Sequence, residues 1–275
     1  MTEECKYGFD STGVGGWCLT HQRWLCEGRD ASLSRTSVVV HDRYRDFVFR
    51  SDSVGDTGVI QQIFERRDYA LTRFRQSAAF GRHVESIRDS GRRPLIIDAG
   101  ANIGASPIYF LSQYGDATVV AVEAERRNCE LLRTNCEGLD VRVIEAAIGS
   151  GAGPRFLTDP GLSDWGFRVA DQGLYEVSAV TVPQILRACP RDTHAPAIFK
   201  IDIEGGEKDL FSGDVSWLAE MPLVIIELHD WMLPGESNAK NFLRAISALD
   251  FDFIQAGENT FCFNNALLRT ATETP

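Results

Sequence analysis

The chain has 275 residues, 44% of them hydrophobic and 24% charged, and its net charge is −11. That is an ordinary globular balance, with enough length for one large α/β domain carrying an N-terminal extension or for two small domains. Residues 1–93 hold 15 Lys and Arg against 13 Asp and Glu, whereas the remainder holds 13 against 26, and an acidic main domain repels a nucleic-acid backbone.

The opening residues, MTEECKYGFD, are acidic and polar and lack the basic and apolar regions of a signal peptide. No apolar run reaches the length of a bilayer, so a cytoplasmic location without membrane insertion is the expectation. The seven cysteines contain no CxxC pair and suit a reducing compartment. Cys5, Cys18 and Cys26, with His21 between, match no common zinc spacing and read as isolated thiols. Residues 1–57 mix a glycine-rich STGVGGW with a strand pair around TSVVVHD and RDFVFR. From Val59 to Ala79, Ile60, Ile63, Phe64, Leu71, Phe74 and Ala78 keep helical spacing. The arginines Arg66, Arg67, Arg73, Arg75 and Arg82 read as a solvated helix face rather than an anion site. DSGRRP (89–94) is a break, punctuated by Gly91 and Pro94. The chain therefore divides into an extension (1–93) that could lie over a cofactor or substrate, a main domain (94–268) and a tail (269–275).

After Pro94 the pattern is regular. Strands are expected at 95–99, 118–123, 140–147, 196–202 and 222–229, with helices near 104–114, 125–137, 182–189, 207–219 and 236–248. Continuous Val- and Ile-rich strands fit a parallel sheet covered on both faces, and right-handed crossovers make it doubly wound. FDFIQAGENTFCFNN reads as two strands, 251–256 and 260–264, around a Gly-Glu-Asn turn. A mostly parallel sheet of seven strands finished by an antiparallel C-terminal hairpin is the Rossmann-like sandwich of class I methyltransferases; plain dinucleotide-binding halves lack the hairpin.

LIIDAGANIGASPIYF (95–110) runs from a strand through a glycine turn into a helix. Aligned on G-x-G-x-x-G, it supplies Gly100, Asn102 and Ala105, so a side chain stands where a pyrophosphate must approach bare backbone. The turn from Gly100 to Gly104 suits S-adenosylmethionine, which has a carboxylate, an ammonium and a ribose but no phosphate. A helix N-terminus and exposed N–H groups would take the carboxylate, Asp98 the ammonium, and Glu123, ending VVAVEA, both ribose hydroxyls. Ala147, with Ala146, falls where adenine would lie, and Gln62 sits on the N-terminal helix that could close over the cofactor. The competing readings are an NAD-dependent oxidoreductase, which also carries an acidic residue near Glu123, and a glycine turn that merely caps a helix.

Six ordered blocks, FVFRSDSVGDTGVIQQIFERRDY, IIDAGANIGASPIYF, VVAVEAERRNCELLRTN, IEAAIG, FKIDIEGGEKDLF and LVIIELHD, resemble the FkbM family of S-adenosylmethionine-dependent methyltransferases. The resemblance spans roughly residues 45 to 264 and leaves the first 44 residues without a functional account. Two positions depart from the family pattern: Ala124 follows Glu123 where proline is frequent, and Gly206 stands in place of alanine. The resemblance implies O-methylation of a hydroxyl on a sugar, glycan or natural-product scaffold. The partner is then a small-molecule or glycan acceptor, with a homo-oligomer compatible.

Ligands of open α/β sheets bind outside the carboxyl ends of the strands. KIDIEGGE there delivers Lys200, Asp202, Glu204 and Glu207, and IIELHD delivers Glu227, His229 and Asp230. A sugar hydroxyl is a feeble nucleophile, so a base or a metal must assist. His229 is the expected general base, with Glu227 or Asp202 orienting it. The competing mechanism gives Asp202, Glu204 and Glu227 to a divalent cation such as Mg2+; metal-dependent O-methyltransferases place an aspartate at the end of strand four. Glu207 reads as a helix-capping residue. Trp165 is a candidate lid aromatic, able to stack on a sugar ring. The remaining alternative is a protein that binds S-adenosylmethionine without catalysis.

Overall fold

The computed structural model describes residues 33–158, 168–170 and 175–270. The expected strand pair is present as β1 (Leu33–Val40) and β2 (Arg43–Arg50), which run antiparallel. His41 and Asp42 join them, both at positive φ. A two-residue turn that matches strand twist needs that conformation, and His and Asp tolerate it better than most side chains. Asn135 clamps the hairpin to the rest of the protein: its amide accepts from Val48 N at 2.7 Å and donates to the Val48 and Ile103 carbonyls.

Between Val59 and Ala79 the structure departs from one continuous helix. α1 (Val54–Ile60) passes into a π-helical turn (Gln61–Glu65), and the chain leaves helical geometry at Arg67, whose φ is 56°. α2 runs from Ser77 to Asp89. Ile63 and Phe64 are buried from the π turn, and Tyr69 and Leu71 from the loop beyond it. Apolar spacing records burial, and burial survives the change of direction. Gly91, at φ 76°, then breaks the chain ahead of β3 (Arg93–Ala99).

Alternating units follow: α3 (Ala105–Gln113), β4 (Thr118–Glu123), α4 (Arg126–Asn135) and β5 (Val141–Glu145). The strand expected over 140–147 is divided, because Ala146 N turns to the Glu123 carbonyl at 2.9 Å. β6 (Ala147–Ile148) belongs instead to a small second sheet with β7 (Gly153–Thr158), β8 (Arg168–Ala170) and β9 (Tyr175–Val180), in the order β6-β9-β7-β8. Next come α5 (Val182–Ala188), β10 (His194–Ile201), α6 (Glu207–Leu210), β11 (Leu223–Glu227), α7 (Lys240–Ser247), β12 (Phe251–Ala256), β13 (Asn259–Asn264) and α8 (Asn265–Thr270). α6 is a single turn, not a helix to 219. Asp214 starts a separate 3-10 turn (Ser216–Glu220) by accepting from Ser216 N at 2.9 Å.

The main sheet has seven strands in the order β12-β13-β11-β10-β3-β4-β5, and β13 alone runs against the others. Alternate residues of each strand feed opposite faces. Ile96, Val119, Ile198 and Ile225 join the core shared with α3 and the β1–β2 hairpin, while Ile97, Val120, Phe199 and Val224 join the core under α5 and α7. Cys129, Cys136, Cys189 and Cys262 are buried free thiols; Cys5, Cys18 and Cys26 lie outside the described residues. Among the described residues no helix is long and apolar enough to cross a membrane. The chain proceeds outward from β3 to β5 and then returns to place β10 on β3's other side, so the topological switch point lies between β3 and β10.

Candidate active site

At that switch point the turn after β3 presses directly on the end of β10. Gly100 has φ 77°, and a Cβ there would lie 1.7 Å from the Asp202 carbonyl oxygen; only glycine fits. Asp202 N donates to the Ala99 carbonyl at 3.1 Å, lashing the two strand ends together. Asn102 is left-handed at φ 49°, a conformation asparagine accepts at small cost.

The turn's N–H groups are already engaged, contrary to the expectation that they stand exposed for a carboxylate. Gly100 N and Ala101 N donate to the Val122 carbonyl, Gly104 N to the Ala101 carbonyl, Asn102 N to Glu123 Oε2 and Ile103 N to Asn102 Oδ1. The left-handed residue turns the chain inward toward β4. A diphosphate would find no N–H cradle at residues 100–104 either.

A cleft enclosing about 640 Å³ of empty space, solvent-open volume included, lies beside the turn; Gly100, Asn102, Glu123, Ala147, Asp202 and Glu204 line it. Glu123 is buried on its wall, with Oε1 accepting from Glu125 N and Oε2 from Asn102 N, both at 2.8 Å. Burial raises its pKa, against the pull of these two N–H groups. Ala147 reaches the cleft on β6. Asn128, another lining residue, accepts from Arg50 Nη2 at 2.7 Å, and Arg50 is held in turn by Asp56. The N-terminal hairpin therefore buttresses the cavity wall.

Three residues expected at the cofactor are not among those lining this cleft. Asp98 is fully buried behind the turn, accepting from Ser106 Oγ at 2.6 Å with Lys200 Nζ 3.1 Å away; it is already paired and does not line the cleft. Gly104 packs the turn on α4, where a Cβ would meet Leu132 and Cys136 at 3.0 and 3.3 Å. Gln62 lies on the π turn, outside the cleft lining.

The residues delivered by β10 and β11 do converge. His229 is 1% exposed, in a 3-10 turn just past β11. Its Nε2 lies 3.4 Å from Glu204 Oε2 and 3.6 Å from both Asp202 Oδ1 and Glu227 Oε1. Its Nδ1 pairs with Glu207 Oε1 at 2.8 Å. The orienting carboxylate is thus Glu207, fully buried and also bonded by Asn238, and neither Glu227 nor Asp202. Its place five residues past Asp202 signals only a helix start; folding α6 against the 3-10 turn turns that cap inward. Asp202 Oδ1 and Glu204 Oε2 are buried without a hydrogen-bond partner.

Electrostatics follow from that crowding. Burial, then Asp202, pushes Glu204 up to about 8 and Glu227 up to about 7. Burial works to lower the His229 pKa, but the Glu207 hydrogen bond and the surrounding carboxylates outweigh it and hold the ring at about 9. The cluster as folded thus favours the protonated ring. Asp202, Glu227 and His229 offer donor atoms all within 4.8 Å of one another, and orphaned oxygens beside them fit a cation. Glu204 borders that set without belonging to it.

Trp231, two residues past His229, is 65% exposed and was not singled out by the sequence, where it is one tryptophan among five. Trp165 lies outside the described residues.

A mostly parallel seven-stranded sheet with one reversed strand and a cleft at its switch point defines a class I methyltransferase sandwich. The family described as "Methyltransferase FkbM domain" matches residues 98–253, and the chain belongs to this family of S-adenosylmethionine-dependent methyltransferases. Among solved structures it is similar to the methyltransferase FkbM from Methylobacillus flagellatus KT, at 17% identity over 63% of this chain and 44% of that one, with a TM-score of 0.41. It thus spans under half of that relative's length. A putative O-methyltransferase from Klebsiella pneumoniae is 14% identical over 75% of this chain and 90% of its own, with a TM-score of 0.40. An O-methyltransferase from Bacillus cereus in complex with SAH is 12% identical over 75% and 88%, with a TM-score of 0.39. No curated protein matches the chain.

Proposed function

We propose that the protein transfers the methyl group of S-adenosylmethionine to a hydroxyl of a sugar, glycan or natural-product acceptor. The observation that carries this reading is the convergence of Asp202, Glu227 and His229, whose donor atoms all lie within 4.8 Å of one another at the edge of the cleft.

Glu123 would receive the ribose, and Ala147 leaves room for adenine. Asp202, Glu227 and His229 would hold a divalent cation, the imidazole favouring a transition metal over Mg2+. When bound, such a cation acidifies and orients a coordinated hydroxyl. Glu207 fixes the imidazole's orientation through Nδ1, as carboxylates behind ligating histidines do. Glu204 lines the cleft edge beside this set, 3.4 Å from His229 Nε2. Trp231 offers an exposed aromatic face near this turn, a surface suited to a sugar ring. The engaged N–H groups of residues 100–104 speak against the nicotinamide alternative.

Calorimetry with S-adenosylhomocysteine comes first, followed by a methyl-transfer screen of sugars with and without EDTA. We expect EDTA to abolish turnover, and Asp202→Asn to lower kcat by about 10²–10⁴-fold while binding of the demethylated cofactor is retained. Turnover that survives EDTA yet disappears in His229→Ala would restore the histidine-base mechanism. Binding without transfer to any acceptor, with both variants neutral in the cell, would favour the non-catalytic alternative.

A further inference from the structure

Lys200 stands inside an apolar strand, its side chain 2% exposed, in register with Asp98 on β3. Its ammonium donates to the Gly100 carbonyl at 2.6 Å and the Ala99 carbonyl at 3.3 Å. It lies 3.1 Å from Asp98 Oδ1 and 3.7 Å from Asp202 Oδ2. A buried ammonium requires such partners, since an uncompensated charge is not tolerated in the interior. Asp98 alone would meet that need. The further contacts join two places with different tasks: the turn that borders the cofactor cleft, and the carboxylate that begins the acid cluster.

We propose that Lys200 is a positioning residue that sets the geometry between cofactor turn and acid cluster, acting through Gly100 and Asp202. This rests on the methyltransferase reading above. Methyl transfer is in-line, so donor carbon and acceptor oxygen must meet within about 3–3.5 Å. The backbone of the two strand ends is already fixed by the Asp202 N to Ala99 O bond and by the close fit of Gly100 on the Asp202 carbonyl. The Asp202 carboxylate is not fixed by these. Lys200 Nζ is 3.7 Å from Asp202 Oδ2, and Asp202 Oδ1 lies 3.6 Å from His229 Nε2, so the ammonium stands on one side of the carboxylate and the imidazole on the other. The same ammonium keeps Asp98 paired, so the amino-acid tail of the cofactor finds that carboxylate already taken.

Lys200→Met alone strands the Asp98 charge and is expected to impair folding. The test therefore uses Lys200→Met with Asp98→Asn, which removes both charges and keeps an acceptor for Ser106. A second variant, Lys200→Arg, preserves the charge but not the point-like geometry of the ammonium. Thermal unfolding, S-adenosylhomocysteine affinity by calorimetry and methyl transfer by the full chain are measured for each. The proposal expects the double variant to melt near wild type, to bind S-adenosylhomocysteine about tenfold more weakly and to lose about 100-fold in kcat. Lys200→Arg is expected to keep its fold and lose kcat as well. Wild-type affinity and kcat in either folded variant overturns the proposal and leaves Lys200 as half of a fold-holding pair. A wild-type chain that does not bind S-adenosylhomocysteine overturns the underlying methyltransferase reading instead.

Discussion

Glu123 and Asp202 are both carboxylates at strand ends, and both line one cleft. Glu123, on the β4 side, has each oxygen satisfied by a backbone N–H. Asp202, on the β10 side, has a buried oxygen without a hydrogen bond, as does its neighbour Glu204, and both face His229 Nε2 at 3.6 and 3.4 Å. One half of the site is complete as folded; the other half is left wanting a partner. On the proposed function, the difference would separate recognition from chemistry. A wall that must hold a neutral ribose gains from rigid, satisfied groups, whereas a cluster that must stabilise a new charge needs unspent electrostatic capacity.

The comparison can be tested most severely at the seam between the halves. Gly100→Ala places a methyl group against the Asp202 carbonyl and should destabilise the fold by about 3 kcal/mol or more, or prevent accumulation of soluble protein; a melting temperature close to wild type would mean the seam is looser than described. Next in size is Glu207→Gln. It keeps the shape of the buried side chain but removes the charge behind His229, and kcat should fall about 10–100-fold with the melting temperature and S-adenosylhomocysteine affinity little changed. Equal losses in affinity and kcat would show that the halves are not separable.

The smallest effect lies away from the cleft and serves as a control. Burial lowers the pKa of both His83 and His194, and His194 is held between Thr118 and Thr193. Both rings are therefore neutral in the fold when the unfolded chain begins to protonate near pH 6.5. The unfolded state then binds more protons, so the stability present above about pH 6.5 is lost as the pH falls below it. His194→Gln should flatten the decline in melting temperature between pH 7 and pH 5 without altering methyl transfer.

The strand–turn–helix at 95–110, the acidic end of β4 and the final hairpin were all legible in the sequence, because each is written in local period and turn chemistry. Asn102 carries a local signal as well, since a left-handed position admits few side chains other than glycine and asparagine. The helix over 59–79 was misjudged because spacing reports which residues are buried, not the direction of the chain between them. Glu207 read as a cap since sequence places it at a helix start without showing which way that helix docks. Lys200 did carry a signal: a lysine flanked by Phe199 and Ile201 in a strand demands a buried partner.

What the sequence determined by itself is the order and type of the elements, the need for glycine at the turn, and a set of carboxylates and one histidine at strand ends. Tertiary structure alone decided that Asp98 is paired inward, that Glu207 lies behind His229, and that Asp202 and Glu204 keep oxygens unbonded. Propensity and period act over a few neighbouring residues. Which donor meets which acceptor depends on strands that lie side by side in the sheet but a hundred residues apart in the chain, as the Gly100 carbonyl and Lys200 do.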